Sequence, residues 1–258
     1  IPISGIAGDQ QAALFGQLWI NKGDVKNTYG TGCFCIMNTG EKPVFSKNKM
    51  LTTIAWKING KTSYAIEGSV FIAGALVQWL RDKLKIIKSA SEIEYLAKTV
   101  EDNGGVTFIP ALSGLGAPYW SQRAQGAIFG ITRDTESGHI ARAGLESIAL
   151  RTMDIIIEMQ KDANYNFSNL KVDGGASKNN LLMQIQSNLL KKNVIRPKIT
   201  ETTALGAAFL AGLSVNYWQS IDSLKSMWKM DCEFKPDKNS KKNIIELWKK
   251  RIKKTIDE

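Results

Sequence analysis

Apolar positions along the chain follow two rhythms, one of period two and one near 3.6. Ile1 to Ala7 is apolar enough to read as a buried strand over residues 1–8, feeding a helix over about 12–20 on AALFGQ. Asn27 to Asn38 (NTYGTGCFCIMN) reads as two strands around a bend bracketed by Gly30 and Gly32. Leu51–Trp56 and Tyr64–Glu67 read as a hairpin turning at Asn59-Gly60. Ile72, Leu76, Trp79 and Leu80 share one side of a helix over about 69–85. Ser91, with Glu94 three residues on, has the pattern of a capping box opening a second helix.

The second half alternates more regularly. Val106–Pro110 and Gly126–Ile131 read as short strands separated by the loop SGLGAPYW (113–120). A long helix over about 137–161 carries Ile140, Leu145, Ile148, Ile156 and Met159 at helical spacing. Leu170–Val172 is a strand breaking into DGGASKNN (173–180), followed by a helix to about Leu190. Val194 and Ile195 form a strand ending at Pro197, and Thr203–Leu213 is a helix of small residues suited to close packing. Alternation of this kind predicts an α/β fold, a mixed sheet flanked by helices. Near the end, Ile244, Trp248, Ile252 and Ile256 recur every fourth residue, predicting an amphipathic helix at about 240–256.

Charge changes this picture at one place only. From Lys225 to Glu258 eleven Lys and Arg face six Asp and Glu, so this tail carries half of the chain's net +10. Lys241, Lys242, Lys249, Lys250 and Lys253 flank or oppose the apolar stripe. They read as the solvated face of a packed helix, with a nucleic-acid patch as the rival. The 258 residues suit one large domain or two small lobes. No apolar run reaches the roughly 18 residues of a membrane span. No leader pattern is visible, and a first residue of Ile with a strand-like start suggests a chain cut from something longer. Cys33, Cys35 and Cys232 make no C-x-x-C pair, and read as packing residues of a reducing cytoplasm.

Candidate chemistry is sparse. Asp9 stands alone between Gly8 and Gln10, readable as a helix cap, a metal ligand or a catalytic base. YGTGC (29–33) and DGGASKNN are glycine turns; the second, between strand and helix, could bind an anion on backbone N–H groups. Either could equally be a plain turn. The single histidine, His139, opens a long helix as a capping or exposed residue, so no His-based nucleophile system is available. One acid and several phosphate-type turns suit phosphoryl transfer.

The ordered series SGIAGDQQAALFGQ, NTYGTGCFCIMNTGE, EGSVFIAGALVQWLRD, ALSGLGAPYW, GAIFGITR, VDGGASKNN and TALGAAFLAG resembles the glycerol-phosphorylating branch of the FGGY carbohydrate kinases, fading after about Cys232. The resemblance implies an actin-like ATPase (ribonuclease H-like) fold, and that residues 1–258 are the C-terminal nucleotide-binding domain of a two-domain kinase. It implies ATP as co-substrate, Mg²⁺, glycerol as acceptor and a homo-oligomer, with no nucleic acid or membrane span. It places the catalytic base, with a Mg²⁺ contact, at Asp9. Gln10 and Phe34 fall on the family's acceptor contacts, and Thr31, Gly32, Gly74, Gln78, Gly175 and Asn179 on its nucleotide contacts. The Arg, Glu and Tyr that grip glycerol, and the first phosphate hairpin, belong in that family to the N-terminal domain. A fragment without them is expected to be inactive. The alternatives are another polyol or sugar kinase of the family, or a non-catalytic nucleotide-binding module.

Overall fold

The computed structural model describes residues 2–237 and 243–257. Its first half runs α1 (Asp9–Gly16), β1 (Val25–Tyr29), β2 (Cys33–Gly40), β3 (Leu51–Ile58), β4 (Lys61–Val70), α2 (Gly74–Asp82) and α3 (Glu92–Ala97). A small hairpin, β5 (Thr107–Ile109) and β6 (Ala127–Phe129), precedes the long helix α4 (Ser137–Ala163). Then follow β7 (Asn169–Asp173), a 3₁₀ turn (Gly175–Lys178), α5 (Asn180–Leu190), β8 (Asn193–Pro197) and α6 (Thr202–Ser214). The chain closes with α7 (Ile221–Lys225), β9 (Met230–Phe234) and α8 (Asn243–Asp257).

Seven strands form one sheet in the order β3-β4-β2-β1-β7-β8-β9. β1–β7 and β7–β8 are parallel and the other pairs antiparallel, which is the expected mixed sheet. One face carries Val25, Tyr29, Cys33, Cys35, Ile66 and Val172 against the buried sides of α4 and α5. Both cysteines are indeed on this apolar face. The other face is covered by α1, through Leu14 on Ile36, Ala55 and Ala65. Helix α6 lies across α1, with Gly16 against the Thr202 carbonyl and Gly206 against the Ala12 carbonyl. Any Cβ at either glycine would push the helices apart.

Several boundaries differ from the sequence reading. Residues 2–8 are not a strand: they have no ladder partner among the described residues, and Ile3 and Ile6 are 84% and 86% exposed. Gly5 instead rests on the α6 backbone at Ala211, whose carbonyl accepts from Ser4 Oγ at 3.3 Å. The helix expected over 12–20 begins at Asp9 and stops at Gly16, with Leu18 already at positive φ. The helix expected from 69 begins at Gly74, because β4 pairs with β2 as far as Val70. Ser91 makes no cap bond; its hydroxyl pairs with Ser89, and Glu94 accepts from Lys98 and from the Asn180 N–H. Edge strand β9 and α7 are additions: the sequence reading named no element between Leu213 and the terminal helix. MDCEF alternates apolar and polar residues, the period-two pattern of a strand, and it pairs with β8.

Other expectations hold. Asn59 and Gly60 both take positive φ, as the tight hairpin between β3 and β4 requires. His139 caps α4, its Nδ1 accepting the Glu136 N–H at 3.0 Å. Trp248 is fully buried and donates from Nε1 to Asp154 at 3.0 Å, so α8 is packed, with Lys249, Lys250 and Lys253 exposed. Lys241, Lys242 and the expected start of this helix near 240 lie outside the described residues.

Candidate functional site

The carboxyl ends of β1 and β7 and the start of β2 come together at one end of the sheet, where ligands bind in open α/β sheets. The bend between β1 and β2 (Gly30–Gly32) projects there and packs on the start of α2. Ala73 and Ala75 donate their N–H groups to the Thr31 carbonyl at 2.9 and 3.0 Å, and Gly74 donates to the Gly30 carbonyl at 3.0 Å. A Cβ on Gly74 would stand 2.5 Å from that carbonyl, and one on Gly32 would strike the Val70 carbonyl. Across the opening, β7 ends at Asp173 and turns through Gly174, whose φ of 82° and closeness to the Tyr29 backbone demand glycine. Gly175 differs: a Cβ there would meet nothing within 4 Å.

These elements enclose a cavity of about 440 Å³. Thr31, Gly74, Gln78, Gly175 and Asn179 all line it, together with Tyr29, Leu145 and Leu182. Five of the six residues singled out for nucleotide contact are therefore brought together. The sixth, Gly32, does not line the cavity; its lack of a side chain lets the bend sit on the end of β4. Asn179 has a second task, its Oδ1 capping α5 by accepting the Leu182 N–H at 2.9 Å. The walls are mostly apolar with polar groups at the rim, a form suited to a ring-bearing ligand with a polar tail. Reasoning from sequence missed Arg81, Glu94 and Lys178, which also reach this cavity.

On the other side of the same bend lies a polar corner. Asp9 opens α1, exposed, with one carboxylate oxygen accepting the Gln10 N–H at 2.8 Å. Among the described residues its carboxylate makes no direct ion pair. Lys26, the second residue of β1, is fully buried beneath it. Its ammonium donates to Gln10 Oε1 at 2.8 Å and to Thr28 Oγ1 at 2.5 Å. Burial pulls the Lys26 pKa down, against the opposing pull of Asp173, Cys35, Asp9 and Glu67. Glu67 is half-buried on β4, which raises its pKa, while Lys26 holds it down. Gln11 donates to Glu67 at 3.3 Å. Phe34 is paired in register with Thr28 and Ser69, on the same sheet face, and is 38% exposed. Asp9 and Gln10 open α1, with Gln10 joined to Lys26, and Phe34 lies on the same sheet face as Lys26 and Thr28.

Lys26, Glu67 and Asp173 were not anticipated. The signal was present: Lys26 and Thr28 alternate in VKNTY, giving a central strand one polar face. Asp173 is buried and takes bonds from Gln17 Nε2 at 2.9 Å and Thr202 Oγ1 at 2.6 Å, tying β7 to α1 and α6. Behind it, Lys171 sits between Trp19 and Trp228 and donates to the Gln17 carbonyl at 2.8 Å. Burial lowers the Lys171 pKa to about 7.

No three His, Cys, Asp or Glu among the described residues stand together as a metal cage. Mg²⁺ in phosphoryl-transfer sites needs only one or two protein carboxylates, waters and phosphates completing the shell. Asp9 fits that limited demand.

Residues 25–215 match the model of the FGGY family of carbohydrate kinases, C-terminal domain. The chain belongs to this family. Glycerol kinase of Clostridium perfringens (strain SM101 / Type A) is 57% identical over 257 residues, 99% of this chain and 51% of that protein. Glycerol kinase of Burkholderia pseudomallei (strain K96243) is 56% identical over 255 residues, 98% of this chain and 51% of that protein. The chain spans about half the length of these FGGY relatives. Plasmodium falciparum glycerol kinase, solved with ADP, superposes with a TM-score of 0.92 at 42% identity, over 99% of this chain and 52% of that one. Xylulose kinase of Lactobacillus acidophilus shares the fold at a TM-score of 0.84 and 22% identity, over 96% of this chain and 50% of that one. The fold is therefore the actin-like ATPase fold of the FGGY kinases. No described helix is long and apolar enough to cross a membrane.

Proposed function

We propose that this FGGY domain is the nucleotide-binding half of an ATP-dependent glycerol kinase, which transfers the γ-phosphoryl group of ATP to glycerol and yields glycerol 3-phosphate in the cytoplasm. The observation that carries the reading is the cavity: five residues from three separate motifs converge on it, and a 42%-identical glycerol kinase of the same fold was solved with ADP. In this reading the adenosine lies along Gly175 and Asn179, and the phosphates run toward Thr31 and the Gly30–Gly32 bend. The acceptor alcohol sits beyond that bend, between Asp9, Gln10 and the ring of Phe34.

Asp9 works as the base. An alcohol gives up its proton late in a loose phosphoryl-transfer transition state, so a carboxylate there chiefly orients the attacking oxygen. The exposed position of Asp9 at the start of α1 leaves its second oxygen available for that hydroxyl. Mg²⁺ would supply charge neutralisation on the phosphates, with Asp9 as its one protein contact in this chain. The upstream half that the relatives possess would supply the remaining acceptor contacts, and the whole enzyme would act as a homo-oligomer. A panel of glycerol, xylulose and gluconate with the full-length enzyme tests the choice of acceptor; a preference for either sugar substrate overturns glycerol.

The cavity separates two kinds of glycine. Gly175→Ala is expected to leave the thermal midpoint unchanged while weakening ADP binding by about tenfold or more, because its Cβ meets only the ligand. Gly74→Ala is expected to lower stability by about 1–3 kcal/mol, because its Cβ meets the Gly30 carbonyl. Calorimetric ADP titration beside thermal unfolding checks both. Unchanged ADP affinity in the Gly175 variant would move the nucleotide away from this turn.

A further inference from the structure

We infer that Lys26 is a positioning residue that fixes the polarity of Gln10, so that Asp9 and Gln10 present one acceptor and one donor side by side to a single hydroxyl. The inference rests on the acceptor reading of Asp9 and Gln10 given above.

A carboxamide can point either end outward, and nothing in its shape decides which. Here the choice is made from beneath. The Lys26 ammonium has donors only, so the atom it meets at 2.8 Å is the Gln10 oxygen. The amide nitrogen is left for the open side, and it has no protein partner among the described residues. Gln10 is half-buried, enough to hold its stem while leaving that nitrogen accessible. Its neighbour Asp9 can only accept. A hydroxyl gives one proton and takes hydrogen bonds on its oxygen, so an adjacent acceptor and donor match it from both sides.

Lys26 also binds Thr28 Oγ1, two residues before the bend that lines the nucleotide cavity. One buried cation therefore joins the acceptor corner to the phosphate turn and fixes their spacing. Burying an ammonium is costly unless it is compensated. Compensation comes from every side: the oxygens of Gln10 and Thr28, and the carboxylates of Asp9 on α1, Glu67 on β4 and Asp173 on β7. Lys171, its like-charged register partner on β7, is drawn away between two tryptophans. A packing role would be met by an apolar residue of the same length without any of this.

The test uses the full-length enzyme with ATP and glycerol. Lys26→Met is expected to lower kcat/KM for glycerol by about 10- to 100-fold, the scale of a hydrogen bond to a charged group, with KM for ATP within about threefold. Gln10→Leu is expected to lose as much, and the double variant no more than the worse single one, because both remove the same interaction. Gln10→Glu is expected to lose as much again, since Glu can pair with Lys26 but offers the acceptor no donor. Glycerol kinetics near wild type in Lys26→Met or Gln10→Glu would overturn the inference, as would losses that multiply in the double variant. Should Lys26→Met unfold, Lys26→Gln, which can offer Gln10 either end of its own amide, takes its place and is held to the same expected loss. Failure of the acceptor reading looks different: Asp9→Asn then keeps wild-type turnover, whatever the Lys26 variants do.

Discussion

In the full-length enzyme, Asp9→Asn is expected to cut turnover by about two to four orders of magnitude, the usual scale of acid–base catalysis, while ATP affinity stays within a few fold. Asn keeps the size of Asp and keeps an oxygen for the Gln10 N–H, so the start of α1 is preserved. It gives up the charge and one acceptor. Asp9 does not line the nucleotide cavity, so ADP binding has no reason to change. A coupled assay beside an ADP titration separates the outcomes. Near-normal turnover removes Asp9 from the base role. A parallel collapse of nucleotide affinity reassigns it to holding Mg²⁺ and the phosphates.

The second large effect concerns the chain by itself. The 258 residues are expected to bind ADP yet to show no steady phosphorylation of glycerol. The cavity with Thr31, Gly74, Gln78, Gly175 and Asn179 is formed within this chain, which is the ground for expecting ADP binding to survive without the phosphate hairpin of the absent half. The acceptor corner is only half a wall. Asp9 is exposed there, Phe34 is 38% exposed, and Ile3 and Ile6 of the preceding segment stand almost fully in water. Phosphoryl transfer requires the reacting groups to be closed off from water and held in line. One surface can orient an alcohol but cannot enclose it. A coupled assay on the isolated chain, with ADP binding measured in parallel, checks this. Steady turnover there would show that a single domain suffices.

Much of the candidate site was legible because its parts are local. The Gly30–Gly32 bend is bracketed by strand-forming residues, and DGG follows a short apolar strand. Each motif therefore announced its own backbone. Thr31, Gly74, Gln78, Gly175 and Asn179, proposed here for nucleotide contact, could be named one by one, through resemblance, before anything showed that they meet. Gly32 was legible as special, and the packed chain adds a reason that local sequence does not show: a Cβ there would meet the Val70 carbonyl at the end of β4. Lys26 was overlooked because a lysine in a strand ordinarily faces water. Nothing near it in the chain reveals that α1 will cover it.

The sequence by itself determined the alternation of strands and helices, the tight turn at Asn59-Gly60 and the apolar stripe that buries Trp248. These depend on neighbours within a few residues, where period and turn chemistry act. Tertiary structure decided the rest. It denied residues 2–8 a strand by giving them no partner. It set MDCEF at the edge of the sheet, beside β8. It also set Asp9 and Gln10 above a lysine sixteen residues away from Gln10, by pressing α1 between the sheet and α6. Burial and hydrogen-bond partners at long range are properties of the packed chain, so a side chain's local sequence cannot declare whether its charge will meet water or a fixed partner.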